Sequence, residues 1–183
     1  MFYKVCAFIG HRKIEITEEL VLKLTTIIED LIVRKNVRQF LFGSKSEFND
    51  LCYKVVTELK EKYPYIERIM YTCSNEVCAL GYDREKWEKL CTQVKGQKID
   101  VQYYDKECEF KNKYTSGKGS YVERNFSMID DSDYCIFYFD ENYEPSMRKA
   151  SKRSVTYYTP QSGTKLAYLY AKRKNKKIIN MLE

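Results

Sequence analysis

The sequence predicts an α/β fold with a mostly parallel sheet, and two observations carry that prediction. Short apolar runs alternate with stretches whose apolar residues recur at helical spacing. Strands that alternate with single helices pair in parallel through right-handed crossovers. The first two apolar runs offer apolar side chains to both faces, as a sheet covered on two sides requires. We therefore expect a single Rossmann-like three-layer domain over residues 1–183.

The first part of the chain predicts three strands and two helices in alternation. Gly10 and Gly43 end the first two strands. Thr17 and Ser46 are placed to cap the two helices, and Pro64 stops the second helix. The three predicted strands cover residues 3–9, 39–42 and 67–73.

The second part of the chain is regular only from residue 120 onward. Residues 74–119 predict a less regular insertion between the third and fourth core strands. A short helix over 121–130 then precedes a strongly apolar strand over 134–139. After a polar, basic and tyrosine-bearing stretch, Ser162 opens a helix, and a last strand covers 177–182.

Composition excludes several classes of protein. The apolar runs are too short to span a membrane. Seven cysteines without a CxxC pair, and without a recognisable secretion signal, predict free thiols in a reducing cytoplasm. With one histidine in the chain we expect no metal site, and no cofactor is expected either. The net charge of +6 suits anionic ligands but is weak evidence for nucleic acid.

The turns that follow the strands are the candidate ligand site. In a parallel sheet these turns gather at one edge, where each feeds a helix N-terminus whose free N–H groups favour anions. The deepest crevice forms where the strand order reverses, here between the first strand and the strand over 134–139. The candidate ligand residues in these turns are Gly10, His11, Arg12, Gly43, Ser44, Lys45, Ser162, Gly163, Thr164 and Lys165.

Each of these turns also has a purely structural interpretation. Gly163 allows an oxyanion to approach the backbone and Thr164 can donate its hydroxyl, but Ser and Thr are also common helix caps. Arg12 can fork onto a phosphate, whereas His11 is equally suited to a turn in which it bonds to the backbone. Neither a Walker A loop nor a GxGxxG motif is present in the sequence.

Several segments, taken in order, resemble the SLOG superfamily, which includes the LOG phosphoribohydrolases and DprA-like proteins. The segments are the strand ends at 9–12 and 42–44, Arg124-Asn125 with residues 128–130, the polar turn 131–133, and Ser162-Gly163-Thr164 with Ala167 and Ala171. This resemblance implies a pocket for a nucleotide-derived ligand, with Gly163 and Thr164 at a phosphate. Arg124 and Asn125 complete the candidate ligand residues.

The resemblance also bears on catalysis. The phosphate loop of LOG enzymes reads PGGxGTxxE and ends in a catalytic glutamate, whereas this chain has Ala167 there and a loop one residue shorter. We therefore expect a protein that binds an ADP-ribose-like or cyclic nucleotide signal, sensing or sequestering it without catalysis. SLOG domains of antiphage systems bind such a signal. The alternative is an N-glycosidic hydrolase or transferase in which Asp133, Glu123 or Asp140 supplies the acid or base.

Nucleic acid is not expected as a partner. The basic residues at 148–149 and 152–153 permit it, but basic and aromatic residues are only thinly interleaved there. Tyr157 and Tyr158 can stack on a base or simply cover the edge of the sheet. The resemblance further implies a homodimer or higher homo-oligomer, and no membrane partner is expected.

Overall fold

The structure is a computed structural model that describes residues 2–43, 46–73, 104–110, 118–149 and 155–183. Its strands are β1 Lys4–Gly10, β2 Val37–Phe42, β3 Glu67–Cys73, β4 Lys106–Phe110, β5 Tyr134–Tyr138, β6 Arg148–Lys149, β7 Tyr157–Tyr158 and β8 Lys177–Asn180. Within these ranges the helices are α1 Glu18–Lys35, α2 Glu47–Lys62, α3 Lys118–Asp130 and α4 Gly163–Arg173.

Six of the strands form one parallel sheet. Its order is β4-β3-β2-β1-β5-β8, and every neighbouring pair runs in parallel. The chain builds outward from β1 to β4, then returns to place β5 against the free side of β1. The order thus reverses between β1 and β5, which confirms the predicted position of the crevice.

The sheet contains one strand that the sequence pattern did not predict. β4 falls inside the segment predicted as a less regular insertion, and it pairs with β3 at the outer edge of the sheet. Its sequence, KECEF, is mostly charged, and Lys106 and Glu107 are exposed. An edge strand with solvent-facing charges lacks the apolar run by which a central strand is recognised.

The predicted helix caps are present as hydrogen bonds. Thr17 Oγ1 accepts from the N–H of Leu20 at 3.1 Å, and Ser46 Oγ accepts from the N–H of Asn49 at 3.2 Å. Each bond satisfies one N–H that would otherwise lack a partner in the first helical turn. The sequence therefore predicts correctly where α1 and α2 begin.

Helices cover the sheet on both faces, which confirms the three-layer architecture. The first core cluster places residues of α1 and α2 against one face of the sheet, including Leu24, Ile28 and Val55 with Phe8 and Phe40. The second places residues of α3 and α4 against the opposite face, with Ile129 and Ala167 beside Ile9 and Phe137. Each helix in the described ranges ends a few residues before a strand of the sheet begins, so its N-terminus lies near the carboxyl edge of the sheet.

The described cysteines fill space in the core. Cys6, Cys52, Cys73, Cys108 and Cys135 are free thiols. Burial raises the pKa of Cys6 and Cys52 well above the usual value, and it raises the pKa of Cys135 to about 11. A thiol held in its neutral form is a poor nucleophile. Cys6, Cys52 and Cys135 consequently act as small apolar side chains.

The described residues show neither a membrane-spanning helix nor a cluster of metal-binding side chains. None of the helices in the described ranges is long and apolar enough to cross a membrane. Across those ranges, no three His, Cys, Asp or Glu side chains cluster in a way that would hold a metal ion.

Candidate functional site

His11 ties together the two strands that border the crevice. It follows β1 directly, is 3% exposed, and donates its backbone N–H to the carbonyl of Tyr138 at 3.3 Å. Its ring atom Nε2 accepts a hydrogen bond of 3.0 Å from the backbone N–H of Asp140. Because Nε2 accepts, the proton of the neutral ring is on Nδ1. This is the backbone-bonded turn that the sequence offered as the alternative to an anion site.

The charge of His11 follows from the same environment. Burial lowers the pKa of His11 below its ordinary value, and this outweighs the opposite effect of Asp140. The ring is therefore neutral at pH 7 and brings no positive charge to an anion. Tyr143 stacks on it, with ring centroids 4.0 Å apart. His11 thus contributes an aromatic surface and a fixed turn.

A cavity of about 350 Å³ opens beside this crevice, on the α1 side of the sheet. Its lining mixes aromatic rings with cationic and anionic side chains, a combination that can contact a sugar through its hydroxyls and a base through its face. The lining residues are His11, Lys13, Ile14, Glu15, Tyr138, Asp140, Tyr143 and Leu182. The sequence did not single out Tyr143, because no pattern links it to His11, 132 residues earlier.

Asn180 fixes the chain where it leaves β5. Its Nδ2 donates to the carbonyl of Phe139 at 3.0 Å, and its Oδ1 accepts from the N–H of the same residue at 3.1 Å. The two bonds continue the pairing of β5 with β8 one residue beyond the end of β5, and they hold Asp140 where its N–H meets His11. Asn180 was not predicted as a site residue, because it falls within the predicted last strand over 177–182.

The turn after β1 is held by the start of α2. The carbonyl of Arg12 accepts from the N–H of Glu47 at 3.0 Å, and a Glu47 carboxylate oxygen accepts from the N–H of Ile14 at 2.9 Å. The Arg12 side chain is exposed and therefore accessible to a ligand. Two other predicted site residues, Ser44 and Lys45, lie outside the described residues.

Arg124 brings a buried positive charge to the carboxyl end of β2. It is the largest fully buried side chain in the described ranges, with 1% of its surface exposed. A Cβ built on Gly43 would lie 2.9 Å from Arg124 Nε, so the end of β2 and this side chain are in direct contact. Gly43 and Arg124 are therefore neighbours in the fold, although they are far apart in the sequence. The next residue, Asn125, is also buried.

The N-terminus of α4 is formed by the third of the predicted anion-binding turns. Ser162 Oγ caps the helix by accepting from the N–H of Lys165 at 3.3 Å, and Ser162 and Thr164 are both buried. A Cβ built on Gly163 would meet no atom of the described structure within 4 Å. Among the described residues, packing therefore does not require a glycine at position 163, and the space beside its Cα is open.

The residues proposed for catalysis are not gathered at this edge. Ala167, at the position of the LOG glutamate, is fully buried beside Ile9 and Phe137. Asp133 exchanges hydrogen bonds with Val5 near the start of β1, at the opposite edge of the sheet. Asp140 faces the crevice, where its Oδ1 accepts from the N–H of Asn142 at 2.8 Å. The third candidate acid or base, Glu123, is half-buried on α3. Asp133 and Asp140 therefore do not form a pair of acidic residues in one site.

Comparisons with known proteins found similarity to a curated protein sequence and to solved structures. No protein-family model matches the sequence. The uncharacterized SPbeta prophage-derived protein YoqJ of Bacillus subtilis (strain 168) is 29% identical over 122 residues, which cover 64% of this chain and 70% of that protein. DNA processing protein A (DprA) from Helicobacter pylori matches with a TM-score of 0.50 and 18% identity. The match covers 96% of this chain and 63% of that one, so the chain spans less than two thirds of that structure.

The structural match shows that the fold is Rossmann-like and similar to that of DprA. It also corrects the expectation that nucleic acid is not a partner, because the structure of DprA was described for its mode of binding single-stranded DNA. In the sequence, the basic residues at 148–149 and 152–153 and the tyrosines at 157–158 appear as separate stretches. The fold instead pairs Lys149 with Tyr157 across two antiparallel strands. The site residues named from the sequence, and the homo-oligomer, stay predictions.

Proposed function

We propose that this chain binds a nucleotide-derived ligand at the carboxyl edge of its sheet, with a phosphate at the N-terminus of α4. The observation that carries the proposal is the open space at Gly163. A Cβ on Gly10 or Gly43 would collide with neighbouring side chains, whereas one on Gly163 would contact none of the described atoms. A glycine that packing does not require, at a helix start of this kind, suits the close approach of an oxyanion.

The charges around this edge support the same ligand. The first-turn N–H groups of α4 carry partial positive charge, and Lys165 on that turn is exposed. Arg124 adds a buried guanidinium beside Gly43, on the face of the sheet that α3 and α4 share. Exposed Arg12 follows β1 at the same edge. A ligand with one or more phosphates complements this arrangement.

We assign the ligand to the ADP-ribose-like or cyclic nucleotide class, and we propose that the chain senses or sequesters it without cleaving it. Membership of the SLOG superfamily is part of this proposal. Burial of Ala167 and the position of Asp133 at the opposite edge support binding over hydrolysis. The cavity beside His11 offers polar and aromatic contacts for the rest of such a ligand.

Single-stranded nucleic acid is the second candidate ligand. The specific observation in its favour is the fold shared with DprA, a protein described as binding single-stranded DNA. The phosphate site would be the same, because a strand presents phosphates and unstacked bases as a free nucleotide does. The two candidate ligands differ in size: the first is a single nucleotide-derived molecule, and the second is a strand of several linked nucleotides.

The phosphate requirement is testable by calorimetry with AMP and adenosine. We expect AMP to bind at least about tenfold more tightly, since hydrogen bonds to a charged group contribute about 1.5–3 kcal/mol. Adenosine is the matched control, because it differs only in lacking the phosphate. Equal affinities for the two compounds would contradict a phosphate site at α4.

A further inference from the structure

The two-stranded ribbon formed by β6 and β7 precedes the proposed phosphate site by only a few residues in the sequence. The two strands are antiparallel, and Lys149 is the register partner of Tyr157. β7 ends at Tyr158, five residues before Gly163 at the start of α4. Five residues of extended chain span at most about 17 Å. The ribbon therefore stays within reach of a ligand whose phosphate is bound at Gly163.

Tyr157 presents an aromatic ring on the surface of this ribbon. The residue is 55% exposed, and Lys149 Nζ lies 5.7 Å from the centroid of its ring. β7 pairs with β6 and is not a strand of the six-stranded sheet. An exposed ring beside a cation forms a surface that is both apolar and positively charged.

We propose that Tyr157 stacks on an unpaired nucleobase of the ligand whose phosphate is held at Gly163, and that Lys149 attracts its negative charge. This inference rests on the proposed function. Every base has a π-face, and stacking on an aromatic side chain is tolerant of base identity. Bases within a duplex are already stacked on both faces. The ligand is consequently a free nucleotide or a single strand.

The test compares Tyr157→Leu with Tyr157→Phe, which keeps an aromatic ring. AMP is the probe that carries a base, and ribose 5-phosphate is the probe that lacks one. We expect Tyr157→Leu to weaken AMP binding about 5- to 100-fold, and Tyr157→Phe to stay close to the natural protein. Neither variant should change the affinity for ribose 5-phosphate or the melting temperature, because the side chain is exposed.

Two outcomes would overturn the inference. One is unchanged AMP affinity in Tyr157→Leu, and the other is an equal loss for ribose 5-phosphate. A Gly163→Glu variant, measured with the same probes, separates the two proposals. If it binds AMP normally while Tyr157→Leu does not, the phosphate site is wrong and the stacking stands.

An oligothymidine of about ten nucleotides identifies the source of the base. If Tyr157→Leu weakens a strand that binds more tightly than AMP, the stacked base belongs to a nucleic acid. If AMP binds at least as tightly as the strand, and the variant weakens AMP, the base belongs to a free nucleotide. Both results support stacking. A duplex of the same length that binds as tightly as the single strand would contradict it.

Discussion

A Gly163→Glu variant is expected to lose nucleotide binding and to keep its fold. The new side chain would extend into the open space in front of α4, where we place the phosphate. Two negative groups in one site repel, and like charges brought together in this way cost several kcal/mol. Affinity for AMP should therefore fall by a factor of about 100 or more, measured by calorimetry.

Gly163→Gln is the matched control, because it has nearly the same shape without the charge. We expect it to lose less affinity than Gly163→Glu, and both variants to melt within about 3 °C of the natural protein, as a surface change should. Thr164 is the other residue assigned to the phosphate, but it is buried, so a bulky acid there would also disturb packing. Normal AMP binding by Gly163→Glu would show that the phosphate lies elsewhere.

Gly10→Val is expected to destabilise the protein by about 3 kcal/mol or more. A Cβ built on Gly10 would lie 2.6 Å from the Cβ of Phe48, and valine adds two further methyl groups to that contact. Phe48 is fully buried at the start of α2 and has little room to move. Overpacking of a well-packed core costs about 1–3 kcal/mol and occasionally more. Urea denaturation measures this loss.

Gly163→Ala supplies the comparison for Gly10→Val, because its Cβ meets none of the described atoms. Its free energy of unfolding should change by less than about 1 kcal/mol. A Gly10→Val, Phe48→Ala double variant should be less impaired than the sum of the two single variants, because the shorter side chain removes the collision. Additive losses, or equal losses at Gly10 and Gly163, would show that Phe48 does not restrict position 10.

The element order was predictable because its signals are local. Apolar periodicity and caps such as Thr17 and Ser46 locate the helices, and alternation of strand and helix then requires a parallel sheet. The reversal between β1 and β5 follows from the same topology. β4 was not predictable in this way, because its exposed edge position removes the apolar pattern.

The candidate site was predictable only in part, since several of its contacts join residues that are far apart in the sequence. The prediction that Gly10, Gly43 and Gly163 lie at one edge of the sheet follows from the parallel strand order. Stacking of Tyr143 on His11 is long-range and has no counterpart in the sequence pattern. The pairing of Lys149 with Tyr157 across β6 and β7 was also not predicted.

Mass spectrometry of a retained ligand tests the central claim of binding without cleavage most directly. The protein would be incubated with a pool of nucleotides, NAD, ADP-ribose and cyclic ADP-ribose isomers, washed, and denatured to release what it holds. Gly163→Glu, treated in parallel, controls for ligand carried over from elsewhere on the surface. We expect an intact nucleotide-derived molecule from the natural protein and none from the variant. Recovery of a free base together with ribose phosphate would contradict the proposal and identify the chain as an enzyme.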